Sequence, residues 1–558
     1  MKLTEKKGIT GFQRKSNTMS KNKTQPTLHI RQVVLDDVRM LLDWRNDPLT
    51  RKQSRSSEEI SWEMHLSYVT NVIEGRVPTR HLYLVENEEG TPVGTVRSDA
   101  SDDGYIEISY TVAPGSRGKG IGSAMVMQFV EEFLDGKKIK AVIKKGSGPS
   151  EAIARALHLS PREEESAGGT DGIPLIVWRQ DISMSIAIGA RKIGYGEPSF
   201  IIAEISGNHH QKYEEAEQLV RAAKEAGADA VKLQTYTADT ITLNSDKEYF
   251  RVSGKDQPDT WKGETLYNLY QTAYTPWEWQ PRLKKVADEI GILLFSSPFD
   301  DTAVDFLEKE VGVDFYKIAS YEAVHIPLLR KVASTRRPVI ISVGFADKEE
   351  IALAIETLKN NGASNVVVLH CVTAYSDTPR LSDMNLATID DIRVRFRVEA
   401  GFSDNNGGIV APIIAAVVHK AVVVEKHLTL SRGLGGPDAR FSLEPDELRE
   451  MVARIRKGER EGIEAALEGI GTMVDVAETN GVVNYGPASP QEAENRIFRP
   501  SVWVKKDIKK GERLTLENIR VARPSHGLAP KFFDDILDTV ATRDIEAATP
   551  FSWDLVST

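Results

Sequence analysis

The sequence predicts an α/β protein built around a (β/α)8 TIM barrel, with a mixed α/β domain before the barrel and a short domain after it. Eight apolar runs of strand length alternate with helical patterns between residues 184 and 430, as the strand–helix repeats of such a barrel require. The runs are apolar throughout, which is typical of parallel strands buried on both faces. A doubly wound open sheet would produce a similar alternation and stays the alternative fold.

The barrel strands can be taken from the sequence in order. The eight predicted strands are Phe200–Ser206, Ala230–Thr235, Leu293–Pro298, Phe315–Ser320, Val339–Gly344, Val366–Val372, Arg397–Asp404 and Ala421–Thr429. Amphipathic helix patterns lie between most of them, for example Tyr213–Ala226, Trp277–Ile290 and Lys348–Asn360. One long helix is predicted after the barrel, from Pro445 to about Leu467.

The hydrophobic pattern changes on either side of the barrel, which divides the chain into five segments. We predict a disordered leader over 1–27, an α/β domain over 28–182, the barrel over 184–430, a helical linker over 431–497 and a final domain over 498–558. In the α/β domain, a strand over 105–112 leads through a glycine-rich turn into a helix. The acidic, glycine-rich segment 161–171 is expected to be a loop.

Composition narrows the class of protein. The net charge of −10 argues against a nucleic-acid binder, because neutralising phosphates needs a basic face. The single cysteine, Cys371, excludes an intrachain disulfide. No apolar run approaches the ~18 residues of a membrane-spanning helix. We therefore expect a cytoplasmic protein that binds neither nucleic acid nor a membrane.

Polar side chains interrupt the apolar strands near their carboxyl ends, where a barrel carries its active site. They are Glu204, Asn208, Lys232, Gln234, Ser297, Lys317, Ser320, Glu322, His370, Tyr375, Ser403, Asn405, Glu425 and His427. Two lysines on adjacent rings of the barrel suit a small anion that carries a phosphate and a carboxylate, although a structural ion pair is the alternative for each of them. His427, near acidic and amide groups, suits a divalent metal ion.

Several motifs resemble the sialic acid synthase family. They are Ala-Glu-Ile-Ser-Gly-Asn-His (203–209), Val-Lys-Leu-Gln-Thr-Tyr-Thr (231–237), Thr-Leu-Asn-Ser-Asp-Lys (242–247), Phe-Ser-Ser-Pro-Phe (295–299), Tyr-Lys-Ile-Ala-Ser (316–320) and Val-Glu-Lys-His (424–427). The second and third most resemble the branch that makes pseudaminic acid. The resemblance runs from about 188 to 558, and it implies condensation of phosphoenolpyruvate with an N-acetylated amino sugar, here a 2,4-diacetamido-2,4,6-trideoxyhexose, with release of phosphate.

The resemblance also implies roles for individual residues. Lys232, Lys317, Ser320 and Ser297 would hold phosphoenolpyruvate, and Glu204 would handle a proton near the reacting carbonyl. Tyr375 and Asp438 would contact the sugar or its water. Further substrate contacts would come from the remaining candidates, Gln234, Glu322, Ser403, Asn208 and Arg523.

The metal site departs from the family pattern. His427 would bind manganese or a similar ion. The family has a second histidine in a Ser-Asp-His triplet, where this chain has Ser403-Asp404-Asn405. An amide oxygen is a weaker ligand than an imidazole, so Asn405 leaves open an altered metal site, a compensating ligand or a slow reaction.

The two ends of the chain carry further resemblances. The final domain is similar to the antifreeze-like (SAF) domain of the family, which implies a domain-swapped homodimer in which Arg523 contacts sugar in the partner's site. Arg117-Gly118-Lys119-Gly120-Ile121-Gly122 resembles the coenzyme A loop of GNAT acetyltransferases, and backbone amides there would bind a pyrophosphate. It implies acetyl-CoA as co-substrate and a nucleotide-linked amino sugar as acceptor, with Glu107 or Tyr110 assisting the base.

These resemblances predict a bifunctional enzyme. N-Acetylneuraminic acid and legionaminic acid are alternative products of the barrel. A hypothesis of another class is a degenerate, sugar-binding barrel with only the acetyltransferase active, which Asn405 motivates. A different phosphoenolpyruvate-dependent aldol synthase is a third interpretation, but such an enzyme would lack the antifreeze-like domain.

Overall fold

The computed structural model describes residues 27–134, 137–157, 159–168, 172–180, 186–189, 191–252, 263–373 and 375–557. The predicted leader lies outside these residues except for its last position. The chain divides into two compact units, one on each side of the boundary between residues 181 and 182. No helix in the described ranges is long and apolar enough to cross a membrane.

The first unit contains one mixed sheet. Its described strands are β1 (Leu28–Gln32), β2 (Arg80–Asn87), β3 (Pro92–Ala100), β4 (Ile106–Val112), β5 (Ile139–Lys144), β6 (Leu159–Gly168) and β7 (Pro174–Gln180), in the order β1-β2-β3-β4-β5-β7-β6. The pair β4–β5 is parallel and its register covers only Ile106 with Ile139 and Glu107 with Lys140. Beyond Glu107, strand β4 is no longer paired with β5 in the described residues.

Five helices pack on or beside this sheet in the described part of the unit. They are Val38–Asn46, Pro48–Gln53, Trp62–Ile73, Ile121–Phe133 and Gly148–Ala156. Met125, Val126 and Phe129 recur at helical spacing and are fully buried against the sheet. The expectation of a loop over 161–171 is wrong as far as Gly168, because β6 pairs there with β7 despite its acidic residues. Residues 169–171 lie outside the described ranges.

The second unit begins with a hairpin of β8 (Ile186–Ile188) and β9 (Arg191–Ile193) and continues into the barrel. The barrel strands are β10 (Phe200–Glu204), β11 (Ala230–Thr235), β12 (Leu293–Pro298), β13 (Tyr316–Ile318), β14 (Val339–Ser342), β15 (Val366–Val372), β16 (Glu399–Asp404) and β17 (Val423–His427). All are parallel, and β10 pairs with β17 to close the barrel. The (β/α)8 prediction is confirmed, and the open sheet is excluded because this closing pair leaves no edge.

Helices surround the barrel and continue after it. Those described are Tyr213–Glu225, Ala238–Ile241, Leu266–Ala273, Gln280–Ile290, Asp301–Phe306, Ile326–Ser334, Lys348–Asn360, Ala387–Phe396, Val410–Val417, Pro445–Glu461, Ile463–Leu467, Met473–Asn480 and Pro490–Asn495. The prediction of one long helix from Pro445 to about Leu467 is wrong. Gly462 adopts a φ of 94° and separates the helix into two.

The C-terminal part of this unit is a small β domain. It contains β18 (Ser501–Val504), β19 (Ile519–Ala522), β20 (Val540–Ala541), β21 (Val556–Ser557) and the helix Phe533–Ile536. Trp503 is fully buried, and its ring lies 4.6 Å from that of Phe250 in a barrel loop. Arg520 donates hydrogen bonds at 2.6 Å to the carbonyl oxygens of Asp239 and Thr240. These contacts hold the domain over the mouth of its own barrel.

Candidate active site

A cavity of about 620 Å³ lies at the carboxyl ends of the barrel strands. The predicted residues that line it are Glu204, Lys232, Gln234, Lys317, Ser320, Tyr375, Ser403, Asn405, His427, Asp438 and Arg523. Asn208, Ser297 and Glu322 lie behind this wall and contact groups that hold or form it. Sequence reasoning gave no role to Glu425, Cys371, Tyr321 and Arg440, which also line the cavity.

Two buried lysines and two buried carboxylates meet on one side of the cavity. Lys232 forms an ion pair with Glu204 and lies 3.7 Å from Glu425 and 3.4 Å from the Ser297 hydroxyl. Lys317 lies 3.4 Å from Glu425 and donates to the Ser342 hydroxyl at 2.6 Å. We call Glu204, Lys232, Lys317 and Glu425 the charge cluster.

Burial and pairing act in opposite directions on the charge cluster. Burial alone would lower the pKa of Lys232, but Glu204 and Glu425 raise it above its ordinary value. Burial dominates at Lys317 and lowers its pKa, although Glu425 opposes the shift. Burial would raise the pKa of Glu425, and the two lysines hold it below its usual value instead. The cluster therefore carries both signs of charge on side chains that are almost fully buried, where charged groups act strongly on a bound anion.

Glu204 is held by the turn that follows the first barrel strand. One of its carboxylate oxygens accepts hydrogen bonds from the backbone N–H of Ser206 at 2.7 Å and from its hydroxyl at 3.0 Å. Ser206 has a φ of 42°, the left-handed conformation that non-glycine residues rarely adopt. Gln234 donates to the same hydroxyl at 3.0 Å. This turn fixes a carboxylate at the cavity wall, next to Lys232.

His427 and Asn405 lie on the wall where a metal ion is expected. Nδ1 of His427 is 3.3 Å from the Ser206 hydroxyl, and burial lowers the pKa of His427 to about 4. The ring is thus neutral near pH 7, as a metal ligand must be. Nδ2 of Asn405 lies 3.6 Å from the Cys371 sulfur. Burial raises the pKa of Asp438, which also faces this region.

The donor set fits an open metal centre rather than a closed protein cage. No three His, Cys, Asp or Glu side chains converge as metal ligands in the described ranges. His427 and Asn405 can supply an imidazole nitrogen and an amide oxygen, and water or substrate would have to complete the coordination. Their role as metal ligands stays a prediction.

An arginine closes the far side of the cavity. Nε and Nη2 of Arg523 donate to one carboxylate oxygen of Glu322 at 2.9 and 2.6 Å, and the guanidinium lies 4.8 Å from the centre of the Tyr321 ring. Both partners of this ion pair are more than nine-tenths buried. Burial raises the pKa of Glu322, and Arg523 opposes that shift. Within this chain Arg523 lines the cavity of its own barrel, and the expectation that it contacts sugar in a partner's site stays a prediction.

Two more predicted residues hold the rim. Asn208 donates to the carbonyl of Leu428 at 2.9 Å and to the Ser442 hydroxyl at 3.0 Å, so it ties the first barrel loop to the last. Tyr375 has a φ of 52° and lines the cavity. Burial raises its pKa well above the ordinary value, so its hydroxyl remains a proton donor. Strained tyrosine backbone at a cavity wall is a feature that functional sites often carry.

The glycine-rich turn in the first unit has the geometry of an anion site. Gly118 and Gly120 adopt φ values of 74° and 79°, and the helix Ile121–Phe133 begins directly after them. A Cβ on Gly122 would lie 3.0 Å from a methyl of Val112 on β4, which makes glycine suitable at this close packing. Helix N-termini bind phosphates through free backbone N–H groups.

The charged side chains of this turn contact other parts of the protein. Arg117 pairs with Asp47 at 2.7 Å and donates to the Thr50 hydroxyl at 2.6 Å, and Lys119 donates to the carbonyl of Gly115 at 2.9 Å. A bound pyrophosphate would therefore meet backbone amides before side-chain charge. The prediction that residues 117–122 bind coenzyme A stays a prediction.

The barrel with its lysine-bearing cavity, together with the α/β domain of the first unit, supports a transferase. The profile of the NeuB family matches residues 219–463, that of the SAF domain residues 499–557, and that of the GNAT acetyltransferase domain residues 27–160. The chain belongs to the NeuB family, extended by a GNAT domain, and the latter implies the use of acetyl-CoA.

Individual relatives agree with this membership. The chain is 40% identical over 347 residues to pseudaminic acid synthase of Campylobacter jejuni, which covers 62% of this chain and 93% of that protein. It is 37% identical over 359 residues to pseudaminic acid synthase of Helicobacter pylori, covering 64% and 98%. The crystal structure of the spore coat polysaccharide biosynthesis protein SpsE from Bacillus subtilis superposes with a TM-score of 0.57 and 32% identity, covering 67% of this chain and 99% of that one.

Proposed function

We propose that the barrel condenses phosphoenolpyruvate with a 2,4-diacetamido-2,4,6-trideoxyhexose to give pseudaminic acid and phosphate. We propose as well that the GNAT domain transfers an acetyl group from acetyl-CoA to the amine of a nucleotide-linked amino sugar. The observation that carries the first proposal is the charge cluster, because it places two ammonium groups on the wall of a cavity of about 620 Å³, where a small dianion could accept hydrogen bonds from both. Relatives named pseudaminic acid synthase, at 37–40% identity, support the choice of product.

Phosphoenolpyruvate carries a carboxylate and a phosphate, and the charge cluster offers two ammonium groups, on β11 and on β13, with β12 between them. Lys232 and Lys317 would donate to these groups, assisted by the Ser320 hydroxyl on the same wall. In the reaction, C3 of phosphoenolpyruvate forms a bond with the aldehyde carbon of the sugar. Water then adds at C2, and the C–O bond to phosphate breaks. Charge on the departing phosphate would be stabilised by ammonium groups that are already in position.

The other cavity residues suit the sugar partner. Glu204, fixed by Ser206, would handle the proton at the aldehyde oxygen, and Asp438 and Tyr375 would contact the sugar hydroxyls. A divalent ion on His427 and Asn405 would supply Lewis acidity toward the aldehyde. Phe299, Tyr270 and Leu269 on the cavity wall suit the methyl group of a 6-deoxy sugar better than a hydroxymethyl group.

Two organisational predictions accompany this function. We assign acetyl transfer to residues 28–182, synthesis to 184–430 and closure of the site to 498–558, with 431–497 as a linker, which the ranges of the matching family profiles support. A homodimer that exchanges the final domain, with Arg523 in the partner's cavity, stays a proposal, as does a cytoplasmic location. The location agrees with substrates such as phosphoenolpyruvate and acetyl-CoA.

The test of the synthase uses the purified full-length chain with Mn²⁺, phosphoenolpyruvate and 2,4-diacetamido-2,4,6-trideoxyaltrose, and follows phosphate release. N-Acetylmannosamine and the legionaminic acid precursor run in parallel, with Lys317→Met as an inactive control of the same fold. We expect phosphate release with the altrose sugar only. Release with another sugar would change the product assignment. No release with any sugar, together with activity in Asn405→His, would favour a barrel that binds sugar without catalysis.

A further inference from the structure

A second cavity, of about 380 Å³, lies inside the first unit and belongs to no site described above. One wall is formed by strands β3 and β4, including Tyr110, and the other by the helix Trp62–Ile73, which contributes His65 and Tyr68. The β4 wall lies on the stretch beyond Glu107, where β4 is no longer paired with β5 in the described residues. The same strand ends at Val112 and leads through residues 113–120 into the helix Ile121–Phe133, at whose N-terminus acetyl-CoA is proposed to bind. We call this second cavity the acceptor pocket.

His65 is the one histidine among the described residues of the pocket wall. Its side chain is 7% exposed, and its Nε2 atom is buried without a hydrogen-bond partner in the described ranges. An unsatisfied buried nitrogen costs free energy unless a ligand pairs with it. Burial, with a smaller effect of the Arg45 charge, lowers the pKa of His65. The ring is therefore a neutral base on the wall of the cavity, with one unpaired ring nitrogen.

The loop that precedes this helix is fixed, which orients His65. Asn46 exchanges two hydrogen bonds of 2.9 Å with the backbone of Ile60, and Arg45 donates to the carbonyl of Ser56 at 3.0 Å. Ser61 then caps the helix by accepting from the N–H of Met64 at 3.3 Å. A base positioned by capping and by loop contacts needs little rearrangement when substrate binds.

The charges on the pocket wall select the kind of acceptor. Arg45 and Arg97 line the pocket, and no Asp or Glu does so among the described residues. Arg97 pairs with Asp99 at 2.8 Å, whereas Nη1 of Arg45 is buried without a hydrogen-bond partner in the described ranges. A polycationic amine would be repelled here, and an amine on a molecule with a phosphate would be attracted. Trp44 and Tyr68 add aromatic surface for an apolar sugar face.

We infer that His65 is the general base of acetyl transfer and that the acceptor pocket takes the primary amine of a sugar bearing an anionic group. The inference rests on the acetyl transfer proposed above and adds its general base and the pocket whose positive charge selects an anionic acceptor. The amine nitrogen forms a bond with the acetyl carbon, Nε2 of His65 accepts the amine proton, and the bond from carbon to sulfur breaks. The proton then passes from His65 to the departing thiolate, so that an amide and free coenzyme A result.

The experiment measures acetyl-CoA binding by calorimetry and coenzyme A release from the full-length chain. UDP-glucosamine and glucosamine 1-phosphate are the anionic probes, and kanamycin is the polycationic one. We expect kcat/KM for an anionic probe at least tenfold above that for kanamycin. Preference for kanamycin, or no transfer to any probe by a chain that binds acetyl-CoA, would overturn the inference about the acceptor.

Two variants test the base and the charge. His65→Gln should bind acetyl-CoA within about twofold of wild type and lose at least ~100-fold in kcat, the usual contribution of a general base. On its acidic side, the pH–rate profile should fall less steeply by one proton and keep only the titration of the acceptor amine, since the other titratable groups on the wall are two arginines and two tyrosines. Arg45→Met should raise KM for UDP-glucosamine at least tenfold while acetyl-CoA still binds. The exposed His81→Gln is the matched control and should match wild type.

The outcomes separate this inference from the acetyl transfer on which it rests. Failure of the wild-type chain to bind acetyl-CoA would refute acetyl transfer and this inference together. Acetyl-CoA binding with undiminished kcat in His65→Gln would refute the role of His65 alone. Unchanged KM in Arg45→Met would refute the choice of an anionic acceptor.

Discussion

Removing the guanidinium of Arg523 tests how the final domain closes the barrel cavity. The Arg523→Ala variant leaves Glu322 buried without its counter-ion, and breaking a buried ion pair costs about 3–5 kcal/mol. The change also removes the contacts of the guanidinium with Tyr321 at 4.8 Å and Phe299 at 5.4 Å, worth about 0.5–2 kcal/mol. We therefore expect the docked state of the final domain to lose at least ~3 kcal/mol.

Hydrogen exchange of two backbone amides reports this docking directly. The N–H of Arg523 donates to the carbonyl of Ile241 in the barrel at 2.9 Å, and the N–H of Ser525 donates to that of Ile497 at 2.8 Å. A loss of 3 kcal/mol corresponds to exchange that is faster by a factor of about 100, since each ~1.4 kcal/mol is tenfold. Amides of the strand Val366–Val372, on the far side of the barrel mouth, serve as an internal control and should not change.

The double variant isolates the ion pair from the loss of packing. Glu322→Gln keeps the shape of the side chain without its charge, so Arg523→Ala with Glu322→Gln should cost less than the two single changes added together. We expect a coupling of at least ~2 kcal/mol. Additive costs, or a loss below ~1 kcal/mol in Arg523→Ala, would refute the argument that this pair holds the domain.

The stability of the Arg523→Ala variant should depend on pH in a defined direction. Burial raises the pKa of Glu322 in the folded chain above its ordinary value of 4.5. A carboxyl whose pKa is raised by folding favours the folded state below its unfolded pKa, and this benefit is lost as the pH rises through the folded pKa. Without Arg523 the folded pKa rises further, so the variant should be weakest near pH 8 and should recover stability toward pH 5.

Three further predictions concern the barrel. Lys317→Met should lower kcat/KM for phosphoenolpyruvate at least ~100-fold, because it truncates a buried charge pair; phosphate release above one tenth of the wild-type rate would argue against the charge cluster. Burial lowers the pKa of His325 to about 3 and that of His370 to about 4. Their contribution to stability is therefore present above about pH 6.5 and is lost as the pH falls toward 4, which amounts to about 3 kcal/mol each. Circular dichroism should show an acid transition that His370→Gln shifts to lower pH. Asn405→His should tighten Mn²⁺ binding at least tenfold in calorimetry, and equal affinities would show that residue 405 does not contact the metal.

The barrel could be predicted from the sequence because its strands are buried on both faces. Ala230–Thr235, Leu293–Pro298 and Val366–Val372 begin and end where the apolar runs do. The seventh strand begins at Glu399 rather than Arg397, because Arg397 ends the preceding helix in the left-handed conformation, with a φ of 51°. The hydrophobic pattern does not reveal such a helix cap, so the sequence predicts where a strand lies better than where it begins or ends.

A site residue could be predicted from the sequence where its position in a short stretch of chain already indicates its place in the fold. Residues at strand ends could be predicted, since position on a barrel strand alone points to the cavity. Arg440 and Tyr321 come from loops and short turns whose direction no periodicity reveals. His65 faces Tyr110 and Arg97 across a pocket whose walls come from distant parts of the sequence, so only the fold brings them together. The sequence identifies Glu425 as a polar residue inside the apolar run 421–429, but its lysine partners come from two other strands and only the fold brings them to it.

Alternation along the seventh and eighth strands explains why Asn405 is informative. Successive side chains of a strand point to opposite faces, so Ser403 and Asn405 line the cavity while Asp404 faces outward. Asp404 there accepts from the buried ammonium of Lys426 at 2.7 Å and from the backbone N–H of Asn406 at 3.1 Å. Of the triplet 403–405, only the residue that differs from the family pattern, Asn405, is changed, and it lines the cavity. The ion pair between Asp404 and Lys426, which supports the end of the strand, is kept. Replacing Asn405 with histidine changes the ligand offered to a metal without removing a described structural contact other than that with Cys371, so the variant separates metal chemistry from folding.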